Sequence, residues 1–241
     1  MTQIRDVNPG SIVFIDQGGI NTLVQMKCEP KYCSFNYIYS CRVDSRIDGI
    51  DVTAVRQKLG AALAVRDSWL DPDIIGPFPF SAMAHSQGYA RAKQPPKPYA
   101  DIFVPPQFAL RTYIRPWGQR VREKKEKLIP CPENVKDKII VANEDSIRSG
   151  LSTKGSVHDL KKAGAREVHV RVGSPPSIRY CPWAASPLKE EDYIAARMSV
   201  EEIRRFIGTD TLEYVDIETV VEAIGLPKQN LCLDCFKRAN D

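Results

Sequence analysis

Residues 139–153 read IIVANEDSIRSGLST: an apolar run, two adjacent acids, and a turn of small residues around Gly150 ahead of a helix-like stretch. That order suits an anion bound where a strand feeds a helix, because free backbone N–H groups and the positive end of the helix dipole meet there. Gly150 lets the backbone approach such an anion closely, and Ser149, Ser152 and Thr153 offer hydroxyl donors. Glu144 and Asp145 suit two neighbouring sugar hydroxyls. The GxxxxGK and GxGxxG spacings are both missing, so the segment is neither a Walker loop nor a dinucleotide fingerprint.

Seven cysteines form the second chemical signal: Cys28, Cys33, Cys41, Cys131, Cys181, Cys232 and Cys235. An odd number in a reducing compartment argues against a disulfide framework. Only Cys232 and Cys235 have the CxxC spacing of metal ligands. No strand-then-helix start flanks them, so the thioredoxin-type reading is poor. A zinc or iron–sulfur site built on this pair must take its other ligands from distant cysteines.

The elements that would position these groups follow from the apolar pattern. Residues 11–16 read as a strand ended by the Gly18–Gly19 turn, and residues 32–41 as an aromatic, β-rich run. Residues 51–66 carry apolar side chains at helical spacing, with Asp51 or Thr53 as the N-cap. Further strands are expected at 73–77, 100–104, 139–143 and 168–172, with helices around 83–93 and 152–163. Strands alternating with helices of this length predict an α/β class with a mainly parallel sheet flanked by helices. Beyond residue 186 the pattern turns helical, at 191–207 and at 216–224, the latter closed by Gly225 and Pro227.

Composition bounds what such a chain does. Its 241 residues, 43% hydrophobic and 27% charged, suffice for a full core, which rules out a disordered tail. A formal net charge of +4 is far too mild for a protein that coats a polyanion, which excludes nucleic acid as the expected partner. No apolar run approaches the ~20 residues of a membrane span, and the N-terminus has no secretion-signal pattern. The expected setting is cytoplasmic, with no membrane partner.

With these residues in view, the 139–153 run resembles the phosphoribosyl-diphosphate (PRPP) motif of type I phosphoribosyltransferases. Segments 33–45, 111–114, 119–122, 174–181, 207–212 and 231–236 narrow the resemblance to the amidophosphoribosyltransferases, in that family's order. The resemblance implies a type I phosphoribosyltransferase fold. Glu144, Asp145, Ser146, Ser149, Gly150, Ser152 and Thr153 would then hold the ribose and 5-phosphate, with Mg²⁺ on the diphosphate. It implies a four-iron four-sulfur cluster on Cys33, Cys181, Cys232 and Cys235. Zinc on the same four thiolates stays chemically open. Cys28, Cys41 and Cys131 are then small buried or surface thiols.

Two loops depart from the family's pattern. Residues 79–82 (PFSA) put Phe80 where the diphosphate loop carries an acid. Residues 104–108 (VPPQF) put Pro105 and Gln107 where a lysine and an arginine are usual. Candidate diphosphate contacts are therefore Ser81, His85 and Arg111. His158 and His169 read as packing residues, and the remaining basic run, Arg115, Arg120, Arg122 and 124–127, as a solvated face.

The resemblance begins near residue 7, about where the family's glutaminase domain ends. The expectation is a single phosphoribosyltransferase-like domain over 1–241, with a core at about 45–185. A segment at 1–44 and a helical tail at 186–241 would be joined by the cluster. It would bind PRPP with Mg²⁺ and transfer the 5-phosphoribosyl group to ammonia or another small nucleophile, releasing diphosphate. Ammonia would come from solution or from a separate glutaminase, and a homo-oligomer is the other expected partner. The alternative is a non-catalytic iron–sulfur paralogue with a partner-binding or regulatory role.

Overall fold

In the computed structural model, which describes residues 7–104, 128–183 and 189–237, strands and helices alternate as the apolar periodicity predicts. The first elements are β1 (Ser11–Asp16), β2 (Gly19–Gln25), β3 (Tyr32–Cys33), β4 (Arg46–Ile47), β5 (Ile50–Asp51) and α1 (Val52–Arg66). Next come β6 (Ile74–Pro77), α2 (Met83–Ala92), β7 (Phe103–Val104), β8 (Ile129–Pro130), α3 (Pro132–Val135), β9 (Ile139–Glu144) and α4 (Leu151–Lys162). The described chain closes with β10 (Glu167–Val172), α5 (Val200–Ile207), β11 (Thr211–Tyr214), α6 (Ile217–Ile224) and β12 (Leu231–Cys232).

The central sheet runs β11, β10, β9, β6, and every neighbouring pair is parallel. A parallel sheet flanked by helices buries both faces of its strands, which is why β9 is apolar at consecutive positions. Val141 packs with Val55, Leu59 and Leu63 of α1 and Tyr89 of α2. Ile140 and Ala142 join the second cluster, with Val157 and Leu160 of α4 and Ile203 and Ile207 of α5. Burying each large aliphatic side chain contributes about 1.5–3 kcal/mol. The Asp51 carboxylate caps α1 by accepting the Ala54 N–H at 2.8 Å.

One buried ion pair fastens the sheet to α1. Arg171 of β10, fully buried, donates through Nε and Nη2 to the two carboxylate oxygens of Asp67, the residue that ends α1. The Tyr89 hydroxyl donates to the same carboxylate at 2.6 Å. Lys93 Nζ donates to the Asp67 and Leu70 carbonyls, both at 2.7 Å. Every charge removed from water here has a partner, as buried charges require.

Four local differences from the sequence reading have physical causes. The 32–41 run is not a strand: after the two residues of β3 it winds into a wide helical turn, Asn36–Ser40. That turn points Phe35, Tyr37 and Ile38 into one apolar cluster, which strand alternation would forbid. Residues 191–207 are not one helix, because Ser199 and Glu202 form a reciprocal capping box that starts α5 afresh. In the 100–104 stretch Phe103 and Val104 pair with β8, while the Ala100 N–H donates to the Ile75 carbonyl of β6 at 3.1 Å. The tail is not wholly helical: β11 adds a strand to the central sheet, so the sheet extends past residue 185. At the N-terminal end β2 returns antiparallel to β1, and Phe14, Ile15 and Leu23 of this hairpin stay exposed.

Among the described residues, no helix is long and apolar enough to cross a membrane.

Asp67→Ala strands Arg171 as an unpaired buried cation and is expected to cost about 3–5 kcal/mol, read from the denaturant midpoint. Replacing both partners together, Asp67→Leu with Arg171→Met, should recover most of that loss. A cost within the range of an exposed pair, about 0–1 kcal/mol, would show that this ion pair does not fasten the sheet to α1.

Candidate functional site

The carboxyl end of β9 delivers the two acids to the lip of the sheet, and the chain enters α4 after Gly150. Asp145 is buried and Glu144 half-buried. Ser146 donates to Asp145 Oδ1 at 2.6 Å, Ser81 donates to Asp145 Oδ2, and the Asp145 N–H reaches Glu144 Oε1 at 3.1 Å. Thr153 is buried in the first turn of α4 and acts to lower the Glu144 carboxyl's pKa. Ser149 is half-buried in the loop, and Ser152 is exposed at the start of α4. The structure thus gathers Glu144, Asp145, Ser146 and Ser81 into one hydrogen-bonded group, with Thr153 beside Glu144.

Burial pushes both carboxyls up from their usual range, and for Glu144 the neighbouring Asp145 charge adds to it. Hydrogen bonds from Ser146 and Ser81, together with the Arg56 charge, pull Asp145 back down. Arg56 is buried at the far side of the pair, where it donates to the Tyr37 carbonyl at 2.9 Å and the Cys41 carbonyl at 2.8 Å. Such a pair gains from any ligand that brings hydroxyl donors or a cation, because either relieves two carboxyls crowded in a low dielectric.

Gly150 precedes α4 with φ of 72°, in the left-handed region that glycine tolerates. A side chain there would point at Phe206 Cε1, 3.3 Å away, and Ile194 Cδ1, 3.4 Å away. The requirement for glycine therefore comes from the backbone conformation and from packing behind the loop. The first N–H groups of α4, beyond that glycine, lack helical partners and carry the dipole's positive end.

The diphosphate candidates fall apart. Ser81 is in the site. Phe80 beside it is 65% exposed. His85 is fully buried, with Nε2 3.3 Å from the Ile38 carbonyl, and burial holds its imidazole down at about 3. Its ring lies so close to Gly173 that a Cβ there would be 2.3 Å from Nδ1. His85 is thus a neutral packing group that turns away from the loop. Arg111 lies outside the described residues, as do Pro105, Gln107, Arg115, Arg120, Arg122 and 124–127. His158 is exposed, and His169 is held between Thr211 Oγ1 and Glu167 Oε2, each at 2.9 Å.

Cys33, Cys181, Cys232 and Cys235 come together where β12 meets β3. β12 pairs parallel to β3 with Cys232 opposite Cys33, and Ser34 donates to the Cys232 carbonyl at 2.8 Å. The Ile178 N–H donates to the Cys235 carbonyl at 2.9 Å, which brings in the segment carrying Cys181. Burial first, then Cys181, Cys33 and Cys232, push the Cys235 thiol up to about 12. Cys33 and Cys232 are also raised by burial. Among the described residues, no group of three or more His, Cys, Asp or Glu side chains is arranged as a site for a single metal ion. Cys28 is exposed, and Cys131 lies 3.6 Å from Asn134 Nδ2.

Known proteins resemble the chain in sequence and in fold. Amidophosphoribosyltransferases of Methanothermobacter thermautotrophicus and Archaeoglobus fulgidus are 36% and 38% identical to the chain, each over 97% of it. The B. subtilis glutamine PRPP amidotransferase complexed with ADP and GMP matches with a TM-score of 0.83 and 36% identity. The chain belongs to the amidophosphoribosyltransferase family. It spans about half the length of the curated relatives it matches: 49% and 51% of the two archaeal proteins, and 52% of the B. subtilis chain, of which it covers 97% of its own residues. A structure described as the allosteric regulatory enzyme of purine biosynthesis matches at the same TM-score, 0.83, with 34% identity over 97% of this chain and 51% of that one. No family model matches the chain.

Two residues of this amidophosphoribosyltransferase relative carry more than their sequence context announces. Arg56 sits on the buried stripe of α1 with Val52, Val55, Leu59 and Leu63, and a cation on an apolar stripe is the signal that marks it. Arg148 has no such signal, because its partners are distant in sequence.

The neutral His85 gives the fold a pH dependence with a definite sign. Its folded value, about 3, lies below the ordinary 6.5, so protonation favours the unfolded chain. Stability from this group is complete above about pH 6.5 and falls as pH drops toward 3, by at most about 1.4 kcal/mol per pH unit. His85→Gln should flatten denaturant midpoints measured between about pH 6 and pH 4. Equal slopes in the two proteins would place the acid sensitivity elsewhere.

Proposed function

We propose that this chain is a phosphoribosyl-transferring domain that binds PRPP with Mg²⁺ and passes the 5-phosphoribosyl group to ammonia, in the direction of purine biosynthesis. The observation that carries the reading is the acid pair at the end of β9, held by Ser146 and Ser81 with Thr153 beside it, directly ahead of the α4 N-terminus. Glu144 and Asp145 accept the ribose hydroxyls, while the N–H groups opening α4 and the Ser149 and Ser152 hydroxyls take the 5-phosphate. Mg²⁺, when bound with the substrate, neutralises charge on the diphosphate.

In the reaction, the ammonia nitrogen bonds to the anomeric carbon as the bond from that carbon to diphosphate breaks, and the ammonium product gives up a proton to solvent. Positive charge developing on the sugar ring sits beside Glu144 and Asp145, which stabilise it electrostatically. A second reading, binding without transfer, is favoured by one feature: exposed, apolar Phe80 stands in the loop beside Ser81, where a polar group would meet diphosphate.

We further propose that Cys33, Cys181, Cys232 and Cys235 hold a four-iron four-sulfur cluster. The donor set fits a thiolate-ligated group: β12 pairs Cys232 opposite Cys33, and Cys181, Cys33 and Cys232 all act on the Cys235 thiol. The cluster would supply a structural tie between β3, β12 and the segment after β10.

Calorimetric titration with PRPP and Mg²⁺, followed by a diphosphate-release assay with ammonium, tests the transferase reading. Asp145→Asn should weaken PRPP binding by about 1–3 kcal/mol, the cost of losing a charged hydrogen bond. Phe80→Asp should raise the preference for PRPP over ribose 5-phosphate. PRPP binding with no diphosphate release would favour the second reading, and no binding would overturn both.

Anaerobically purified protein should be brown, with iron and acid-labile sulfide in equal amounts. Cys181→Ser or Cys232→Ser should bleach it and lower the melting temperature, whereas Cys131→Ser should do neither. Stoichiometric zinc without iron would overturn the cluster.

A further inference from the structure

Arg148 lies in the middle of the loop between the acid pair and Gly150, and its guanidinium meets aromatic rings of a segment distant in sequence. Its Cζ lies 5.3 Å from the Phe35 ring centroid and 5.7 Å from that of Tyr39. Those two rings meet edge to face at 5.9 Å, and Phe35 also packs on Phe236 at 6.2 Å. Phe35 and Tyr39 belong to the 33–41 segment, which β3 pairs with β12, and Phe236 directly follows Cys235. The Arg148 carbonyl accepts the Ile194 N–H at 2.9 Å, and Ile194 lies against the far side of Gly150. One residue of the loop is therefore gripped from two sides: by the aromatic rings of the 33–41 segment and by the turn ahead of α5.

A second arginine runs parallel to it. Arg56 holds the Tyr37 and Cys41 carbonyls of the same segment, and its charge acts on Asp145.

We infer that Arg148 is a positioning residue: by its cation–π contacts with Phe35 and Tyr39 it sets the conformation of the 146–150 loop, so that the order of the 33–41 segment decides how well the loop grips a ribose 5-phosphate. The inference rests on the ribose-phosphate reading of that loop. A guanidinium held between two rings restrains the backbone that carries it, whereas an arginine without such partners on the short connection from β9 to α4 would leave the loop freer to change conformation. The same contacts also explain why an arginine in a candidate anion site turns its charge toward rings.

The test uses ribose 5-phosphate titrated calorimetrically into the full chain, with amide hydrogen exchange of the unliganded protein beside it. Arg148→Gln shortens the side chain and removes the cation; it should weaken binding about three- to tenfold, the scale of a partly buried cation–π contact. Tyr39→Leu removes one ring from a residue that is 41% exposed, and should weaken binding about twofold, with Tyr39→Phe restoring it. The double variant Arg148→Gln with Tyr39→Leu should bind no more weakly than Arg148→Gln alone. In both single variants the amides of residues 146–150 should exchange faster, while those of β10 stay as in the parent.

A loss with Arg148→Gln and none with Tyr39→Leu would make the arginine a direct ligand contact and overturn the positioning role. Faster exchange throughout the sheet would reduce it to a general stability effect and overturn the role in the same way. If the parent binds no ribose 5-phosphate at all, the ribose-phosphate reading fails. Unchanged loop exchange in Arg148→Gln would then overturn the positioning role independently.

Discussion

Both faces of β9 must be covered, and the rest of the molecule is arranged by that demand. Val141 needs α1 and α2 on one side, and Ile140 and Ala142 need α4 and α5 on the other. With helices on both faces, the only open approach to this strand is its end. Polar chemistry placed anywhere else along β9 would be sealed in apolar packing, so Glu144 and Asp145 stand at the carboxyl end, where the chain turns into α4. The site is a consequence of how the core closes.

The acid pair has a cost that its surroundings offset. Two carboxyls this close and this buried resist ionisation. Ser146 and Ser81 satisfy part of their hydrogen-bonding capacity, Thr153 stands beside Glu144, and Arg56 supplies a buried positive charge behind Asp145. Arg56 is itself kept from the apolar stripe's hostility by two backbone carbonyls, those of Tyr37 and Cys41. The wide turn at 36–40 that presents these carbonyls is thus tied to the electrostatics of the site, although it lies more than a hundred residues away in sequence. The Asp67–Arg171 pair follows the same rule: a buried charge is met by an opposite charge and by further hydrogen bonds.

How far the sequence can be read depends on the range of the interactions involved. Local signals carry well: the apolar run of β9, the Asp51 cap, the glycine before α4 and the Gly225 stop after α6 each act through neighbours a few residues away. The turn at 36–40 reads as strand because its aromatic residues favour β structure, and only the cluster that Phe35, Tyr37 and Ile38 enter together decides otherwise. The strand β11 is four residues long, and its place in the sheet is fixed by pairing with β10, which no local pattern announces. The site divides in the same way. Glu144, Asp145 and Gly150 are legible from their order along the chain. His85 reads as a candidate phosphate contact from its closeness in sequence to residues 79–82, but the direction of α2 turns it toward Ile38 and Gly173. Arg148 depends on rings more than a hundred residues away.

The loop from Glu144 to Thr153 is, on this reading, where a ribose 5-phosphate ester binds, and the functional conclusions all depend on it. Two-dimensional amide NMR of the isotopically labelled chain, followed through a ribose 5-phosphate titration, tests it without any assumption about transfer chemistry. Saturable shifts should be largest at the amides of residues 146–153, through the loop and the first turn of α4. Shifts confined to other parts of the chain, or none at saturating ligand, would contradict it.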